Sequence, residues 1–193
     1  MPRPCRRMSE IILSLCDFSG VWSDPYRDRY DVVRIDLQHG EDVRLFEHRG
    51  HWKVRGILCA PPCDSFAVSG ARWWGEKGPH PLLDGLSIVD ACLRAVTLYR
   101  PAWWALENPV GRLRKYLGPH VMTFNPSDYG GQDGDDPYTK RTCLWGEFTP
   151  PQKNPTFPHE GSKMHRIGPG PERKNIRSRT PQAFAEAFAM ANP

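Results

Sequence analysis

Cys63 stands directly after Pro61-Pro62 in the stretch ILCAPPCDSFAVSG (57–70), and 44 residues further on Glu107 opens the pair Glu107-Asn108 that closes the apolar run WWALEN (103–108). Proline fixes φ, removes a backbone donor and pushes the residue before it toward extended geometry, so the thiol is carried on a stiff turn. One reading is a small packed hydrophobe, the usual fate of a free cysteine. The other is a nucleophile at the carboxyl end of a strand, where open α/β sheets place their chemistry. Two more polar groups follow apolar runs in the same manner: Asp17-Phe18-Ser19-Gly20 after IILSLC (11–16), and Asp36 at the end of RYDVVRIDL (29–37). An aspartate after a strand is often only a turn residue. Four such endings in one chain form a candidate site if the fold delivers them to one edge.

Those endings require strands at 11–16, 29–37, VRGILCA (54–60) and AWWALEN (102–108), with HVMTFNP (120–126) and RTCLWGEF (141–148) as further strand candidates. DGLSIVDACLRAVTLYR (84–100) reads as a helix stopped by Pro101, and GRLRKYLG (111–118) as a short one before Gly118. TPQAFAEAFAMAN (180–192) reads as a helix with Thr180 as N-cap, Pro181 in its first turn and Phe184, Ala187 and Phe188 as its apolar stripe. Strands alternating with helices predict a mostly parallel, doubly wound α/β sheet covered on both faces. At 193 residues the chain fits one such domain.

Charged residues at 25% and hydrophobic ones at 39% describe a soluble globular protein, and no run approaches the ~18 apolar residues of a membrane span. The basic start MPRPCRRMSE lacks the apolar stretch and cleavage site of a signal peptide, so a cytoplasmic location is expected. The six scattered cysteines read as reduced thiols. Cys59 and Cys63 find no second Cys/His pair, so no metal is expected. Residues 151–180 hold seven Lys/Arg against two Glu, which leaves the rest of a +4 chain nearly neutral. Such a proline- and glycine-containing basic stretch suits contact with phosphates, or else a solvated loop. SDYGGQDGDDPY (127–138) lacks the spacing of a calcium loop and reads as a mobile loop.

Taken together, these stretches resemble the cytosine-5 DNA methyltransferase family, in particular its small phage-borne members. SLCDFSGVWSDPY is similar to the motif that holds S-adenosyl-L-methionine, APPCDSF to the Pro-Cys nucleophile motif, WWALENPVGRL to the Glu-Asn motif, and DPYTKRTCLWG to the strand carrying a substrate-binding arginine. The resemblance implies a Rossmann-like methyltransferase fold. In it Cys63 adds as thiolate to carbon 6 of cytosine, and Glu107 hydrogen-bonds ring nitrogen 3. Arg141 contacts the cytosine carbonyl, with Lys140 as the alternative register. It implies a cofactor site of Asp17, Phe18, Ser19, Gly20, Trp22, Asp36, Asp42 and Pro61. Only five residues separate Asp36 from Asp42, too few for the helix usual between those motifs. Substrate contacts are expected from Asn108, from Arg72 beside Trp73-Trp74, and from Lys163, Arg166, Arg173 and Lys174. Larger relatives carry a target-recognition domain where this chain has only the span from Gly146 to Thr180. The expected partner is therefore DNA, favouring single-stranded or distorted substrates because extruding a paired base costs a few kcal/mol. A free nucleotide or RNA substrate, or a silent DNA-binding module, are the alternatives. A phage-borne member would act in the bacterial host cytoplasm.

Overall fold

The structure, a computed structural model, describes residues 10–132, 134–162 and 166–193. Six strands form one sheet in the order β2-β1-β3-β4-β6-β5: β1 (Ile11–Leu15), β2 (Asp31–Ile35), β3 (Val54–Cys59), β4 (Trp103–Pro109), β5 (Met122–Phe124) and β6 (Thr142–Glu147). The first four run parallel, while β6 inserts antiparallel between β4 and β5. This is the mostly parallel α/β sheet that the alternating pattern predicts, in the Rossmann-like arrangement that the resemblance implies. Every residue of β1 is buried, as expected of a central parallel strand covered on both faces.

The covering helices are α1 (His80–Tyr99) and α4 (Gln182–Ala191). Val89, Cys92 and Ala95 of α1 pack on Leu13, Leu15, Ile57 and Leu106 on one face. Phe184 and Phe188 of α4 pack on Ile12, Leu58, Ala105 and Leu144 on the other. Both phenylalanines are fully buried, and Phe184 stacks on Phe124 at 3.9 Å between ring centroids. Burying each contributes about 1.5–3 kcal/mol.

Helix boundaries differ from those expected. α1 begins four residues earlier, at His80, because Pro81 in the first turn has no need of an N–H partner there. It ends where Arg100 adopts a left-handed φ of 48° ahead of Pro101. α4 starts at Gln182 with Pro181 in extended geometry at the cap position, so Thr180 does not cap it. The 111–118 helix contracts to α2 (Arg114–Leu117), and the basic stretch contains one short helix, α3 (Arg173–Ser178). In the 127–138 loop, Asp128 accepts from Lys153 Nζ at 2.9 Å and Asp136 accepts from Ala183 N at 3.3 Å. These two acids serve as anchors to neighbouring segments. Among the described residues no helix is long and apolar enough to cross a membrane, and no group of three or more candidate metal ligands occurs.

Candidate active site

β1 lies between β2 and β3, so the chain leaves β1 toward one side first and returns on the other. A doubly wound sheet opens its ligand crevice at that reversal, beyond the carboxyl ends of the strands. By that rule the ligand edge here is the one between the 16–20 loop after β1 and the 60–63 turn after β3. The sequence endings singled out above meet at this edge.

Cys63 and Glu107 are brought together by the pairing of β3 with β4, in which Cys59 lies opposite Leu106. One residue past that register is Glu107; four residues past it is Cys63. Between them Asn108 Nδ2 donates to the carbonyl of Pro61 at 2.9 Å in a buried hydrogen bond, fixing the Pro-Pro turn to the end of β4. The carbonyl of Cys63 in turn accepts from the backbone N–H groups of Phe66 and Ala67, both at 2.9 Å, which curls the chain directly behind the thiol.

The electrostatics follow from this closeness. Burial pushes the Cys63 thiol up from its ordinary value, and the carboxylates of Asp64 and Glu107 add to the rise. Lys140 and Arg177 pull it back down. Burial also pushes Glu107 up, opposed by Lys140, whose ammonium is 3.9 Å from Oε1. Burial therefore shifts both groups toward their protonated forms. The thiol, the carboxyl and two cations occupy one neighbourhood.

Lys140, not Arg141, faces Glu107. Side chains alternate along β6 and its lead-in. Leu144, opposite Glu107 in the register, belongs to the α4 face, whereas Cys143 and Trp145 belong to the α1 face. Lys140 shares the first parity and Arg141 the second. Arg141 is exposed and lines a separate cavity with Arg114, His120 and Cys143.

The 16–20 loop is organised by Asp17, which is 4% exposed. Its carboxylate accepts from Ser14 and Ser23 hydroxyls at 2.9 and 3.1 Å, from Ser19 at 3.3 Å and from Gly20 N at 3.0 Å. Gly20 has φ +73°, a left-handed conformation that strains any L side chain, so glycine suits this turn. Phe18 is exposed, its ring 5.2 Å from that of His39. Asp36 caps the turn after β2 by accepting from Gln38 N at 2.8 Å through one oxygen. Pro61 is buried at the opposite wall.

Two expected cofactor contacts lie elsewhere. Trp22 is fully buried against Phe184 and Phe188 in the α4 core, at 6.2 and 5.6 Å between centroids, and does not reach the crevice. Asp42 is held by Arg44 through 2.6 and 3.0 Å contacts, and Arg44 also grips Asp84 at 2.7 Å. The guanidinium beside it holds the Asp42 carboxyl below its usual range.

The basic stretch returns to the same edge. Lys174 of α3 pairs with Asp64 at 3.0 Å, and Asn175 Oδ1 accepts from Gln38 Nε2 at 3.2 Å, so α3 spans from the turn after β2 to the Cys63 loop. Arg173 is half-buried and Arg166 exposed, while Lys163 lies outside the described residues. Arg72 is exposed with its guanidinium 4.8 Å from the Trp73 ring. Arg177, whose charge favours the Cys63 thiolate, was one of seven basic residues that the sequence did not tell apart.

The loop after Cys63 is clamped to the loop after β4: Ala67 bridges Gly111, Arg112 N donates to Phe66 O at 2.9 Å, and Arg112 Nε to Ser65 O at 2.6 Å. A Cβ at Gly111 would lie 1.9 Å from the Phe66 carbonyl oxygen. Gly111→Ala should therefore push the loops apart and destabilise the protein by about 1–3 kcal/mol, read as a lower Tm accompanied by loss of any Cys63-dependent activity.

No family model matches the chain, and no curated protein matches it. Among solved structures it is similar to a prophage-encoded chain from E. coli provisionally named a DNA modification methyltransferase. The identity is 19% and the TM-score 0.46, and the match covers 72% of this chain and 47% of that one. The matched region thus spans about half the length of that protein. A likeness this low carries no functional argument, which rests on the residues themselves.

Proposed function

We propose that the protein transfers a methyl group to carbon 5 of cytosine in DNA, through a covalent adduct of Cys63. The observation that carries this reading is the joint placement of a turn-borne thiol and a buried, proton-favouring carboxyl at the crevice of a doubly wound sheet, with Lys140 and Arg177 close by.

S-adenosyl-L-methionine, when bound, supplies an electrophilic methyl group. The residues at the crevice fit such a cofactor in part. Asp36 retains one carboxylate oxygen beyond its cap bond, Phe18 offers an exposed ring against His39 of the same turn, and the Asp17-organised loop and Pro61 form the walls. The buried Asn108 Oδ1 lacks a partner and is an acceptor available to a bound molecule.

Carbon 5 of cytosine is a weak nucleophile until a group adds at carbon 6. Cys63 Sγ, as thiolate, forms the bond to carbon 6, and the electron pair displaced from the ring double bond makes carbon 5 nucleophilic. Glu107 holds a proton at ring nitrogen 3, which limits the negative charge that builds on the ring. Lys140 is the cation placed to assist at that edge, in the role that the family resemblance would give Arg141. After transfer, loss of the carbon 5 proton restores the double bond and expels Cys63 as thiolate.

A thiolate is the reactive form, so its stabilisation matters. Arg177→Gln removes a cation that favours it and should shift the pH profile of Cys63 alkylation by iodoacetamide upward, slowing alkylation at neutral pH. Mass spectrometry of the Cys63 peptide reads the effect, and an unchanged profile would place Arg177 away from the sulfur.

The reading is tested with labelled S-adenosyl-L-methionine offered with duplex DNA, single-stranded DNA, RNA and dCMP in turn. Label in DNA supports it. Label confined to dCMP or RNA would move the substrate, and DNA binding without label would favour a silent binding module.

A further inference from the structure

A second polar cavity of about 190 Å³ lies on the α1 face of the sheet, behind the Glu107 edge. Arg114 at the start of α2, Arg141 before β6, His120 and Thr123 bring donors to it over a floor of Cys143 and Trp145. It is smaller than the roughly 300 Å³ at which small-molecule pockets begin, so it suits one group of a larger ligand. No carboxylate lines it. Among the described residues neither guanidinium has an acidic side chain within 4 Å.

The cavity is assembled by β6 pairing with β5. Trp145 Nε1 donates to the Gly118 carbonyl at 3.0 Å, fixing the turn that carries His120, whose ring meets Trp145 edge-on at 5.7 Å. His120 Nδ1 is buried there without a partner. An orphaned buried nitrogen costs about 1–3 kcal/mol unless something satisfies it. Burial raises the Cys143 thiol, with Glu107 adding to the rise, and Arg141 and Arg114, which line the cavity with it, pull it down.

We propose that this cavity binds one phosphate of a nucleic-acid backbone and thereby holds the strand beside the Cys63 crevice. Forked guanidinium donors, an imidazole and a hydroxyl match the oxygens of a phosphodiester. The wall formed by Val110 and Gly111 is continuous with the nucleophile loop, since Val68 N donates to Val110 O at 3.0 Å. Along the same loop Arg112 lies 4.3 Å over the half-buried Trp74, and Arg72 lies beside the exposed Trp73. Arginine paired with tryptophan suits a single strand, where bases stack and phosphates track a basic groove. A phosphate contact fixes register without reading sequence. With so short a span between β6 and α4, that would hold DNA by its backbone instead of by base-specific contacts from that span.

The proposal rests on the nucleic-acid reading but not on methyl transfer, and binding tests it directly. The full chain is titrated with a fluorescein-labelled single-stranded oligonucleotide carrying one cytosine, at several salt concentrations. Wild type is compared with Arg114→Gln and Arg141→Gln; both residues are exposed, so neither change disturbs the core. Each variant should weaken binding at low salt irrespective of sequence and flatten the log K against log salt slope by about 0.7. A scan of single methylphosphonate linkages should find one position that weakens wild type yet leaves the Arg141→Gln variant unaffected. Inorganic phosphate should compete with the oligonucleotide for wild type more than for either variant. Wild-type affinity and slope in both variants would overturn the phosphate site while leaving the nucleic-acid reading standing. Absence of oligonucleotide binding by wild type would overturn both.

Discussion

Cys63→Ser should abolish methyl transfer to DNA while leaving the fold intact. The hydroxyl is nearly isosteric with the thiol, yet an alkoxide is far harder to form than a thiolate, so the adduct at carbon 6 is not reached. The expected loss is about 10³-fold or more in kcat, with Tm unchanged and nucleic-acid binding retained. A direct readout accompanies it. In an oligonucleotide whose target base is 5-fluorocytosine, no proton can leave carbon 5, so elimination stalls and the wild-type chain stays attached through Cys63. A band that survives denaturing electrophoresis is expected for wild type and not for Cys63→Ser. If the serine variant still methylated at a comparable rate, the thiolate route would be wrong, because a hydroxyl at this turn does not form the needed anion readily.

Glu107→Gln should lower kcat by about 10²–10⁴-fold, the contribution usual for a positioned acid, while the protein becomes no less stable at neutral pH. The sign follows from burial. The folded carboxyl titrates above its unfolded value, opposed only in part by Lys140. Its proton-bound form is therefore favoured by folding. Stability associated with Glu107 is fully present below the unfolded carboxylate pKa and is lost as pH rises through the folded one. Glutamine stays neutral throughout. The variant's Tm should match wild type at acid pH and equal or exceed it at neutral pH, the separation opening across the interval between the two pKa values. A variant less stable than wild type at neutral pH would mean that the ionised carboxylate, paired with Lys140, is the favoured form, and the acid role would fall with it.

Much of the framework was legible before folding. Apolar runs set the strands, and proline or polar clusters set their ends, because chain stiffness and turn chemistry act over a few residues. The alternation of strands and helices implied a doubly wound sheet, and that sheet has one crevice edge, so Cys63, Glu107, Asp17 and Asp36 could be gathered on paper. Helix α1 extended past its expected start because proline in a first turn is tolerated, a local rule applied too strictly.

What only the tertiary structure decided concerns facing and reach. Lys140 and Arg141 are adjacent, and their facing depends on the antiparallel register of β6 with β4, which is set by contacts more than thirty residues apart. Trp22 looks in sequence like a neighbour of the 16–20 loop; α4, some 160 residues later, supplies the phenylalanines that take it into the core. Arg177 acts on the thiol electrostatically because Lys174 and Asn175 tie α3 to the loops after β3 and β2. Arg114, His120 and Arg141 share a cavity because β5 and β6 pair. Local propensity determined where each element starts and stops, whereas side-chain facing follows from long-range pairing, since a one-residue slip turns every residue of a strand to the other face.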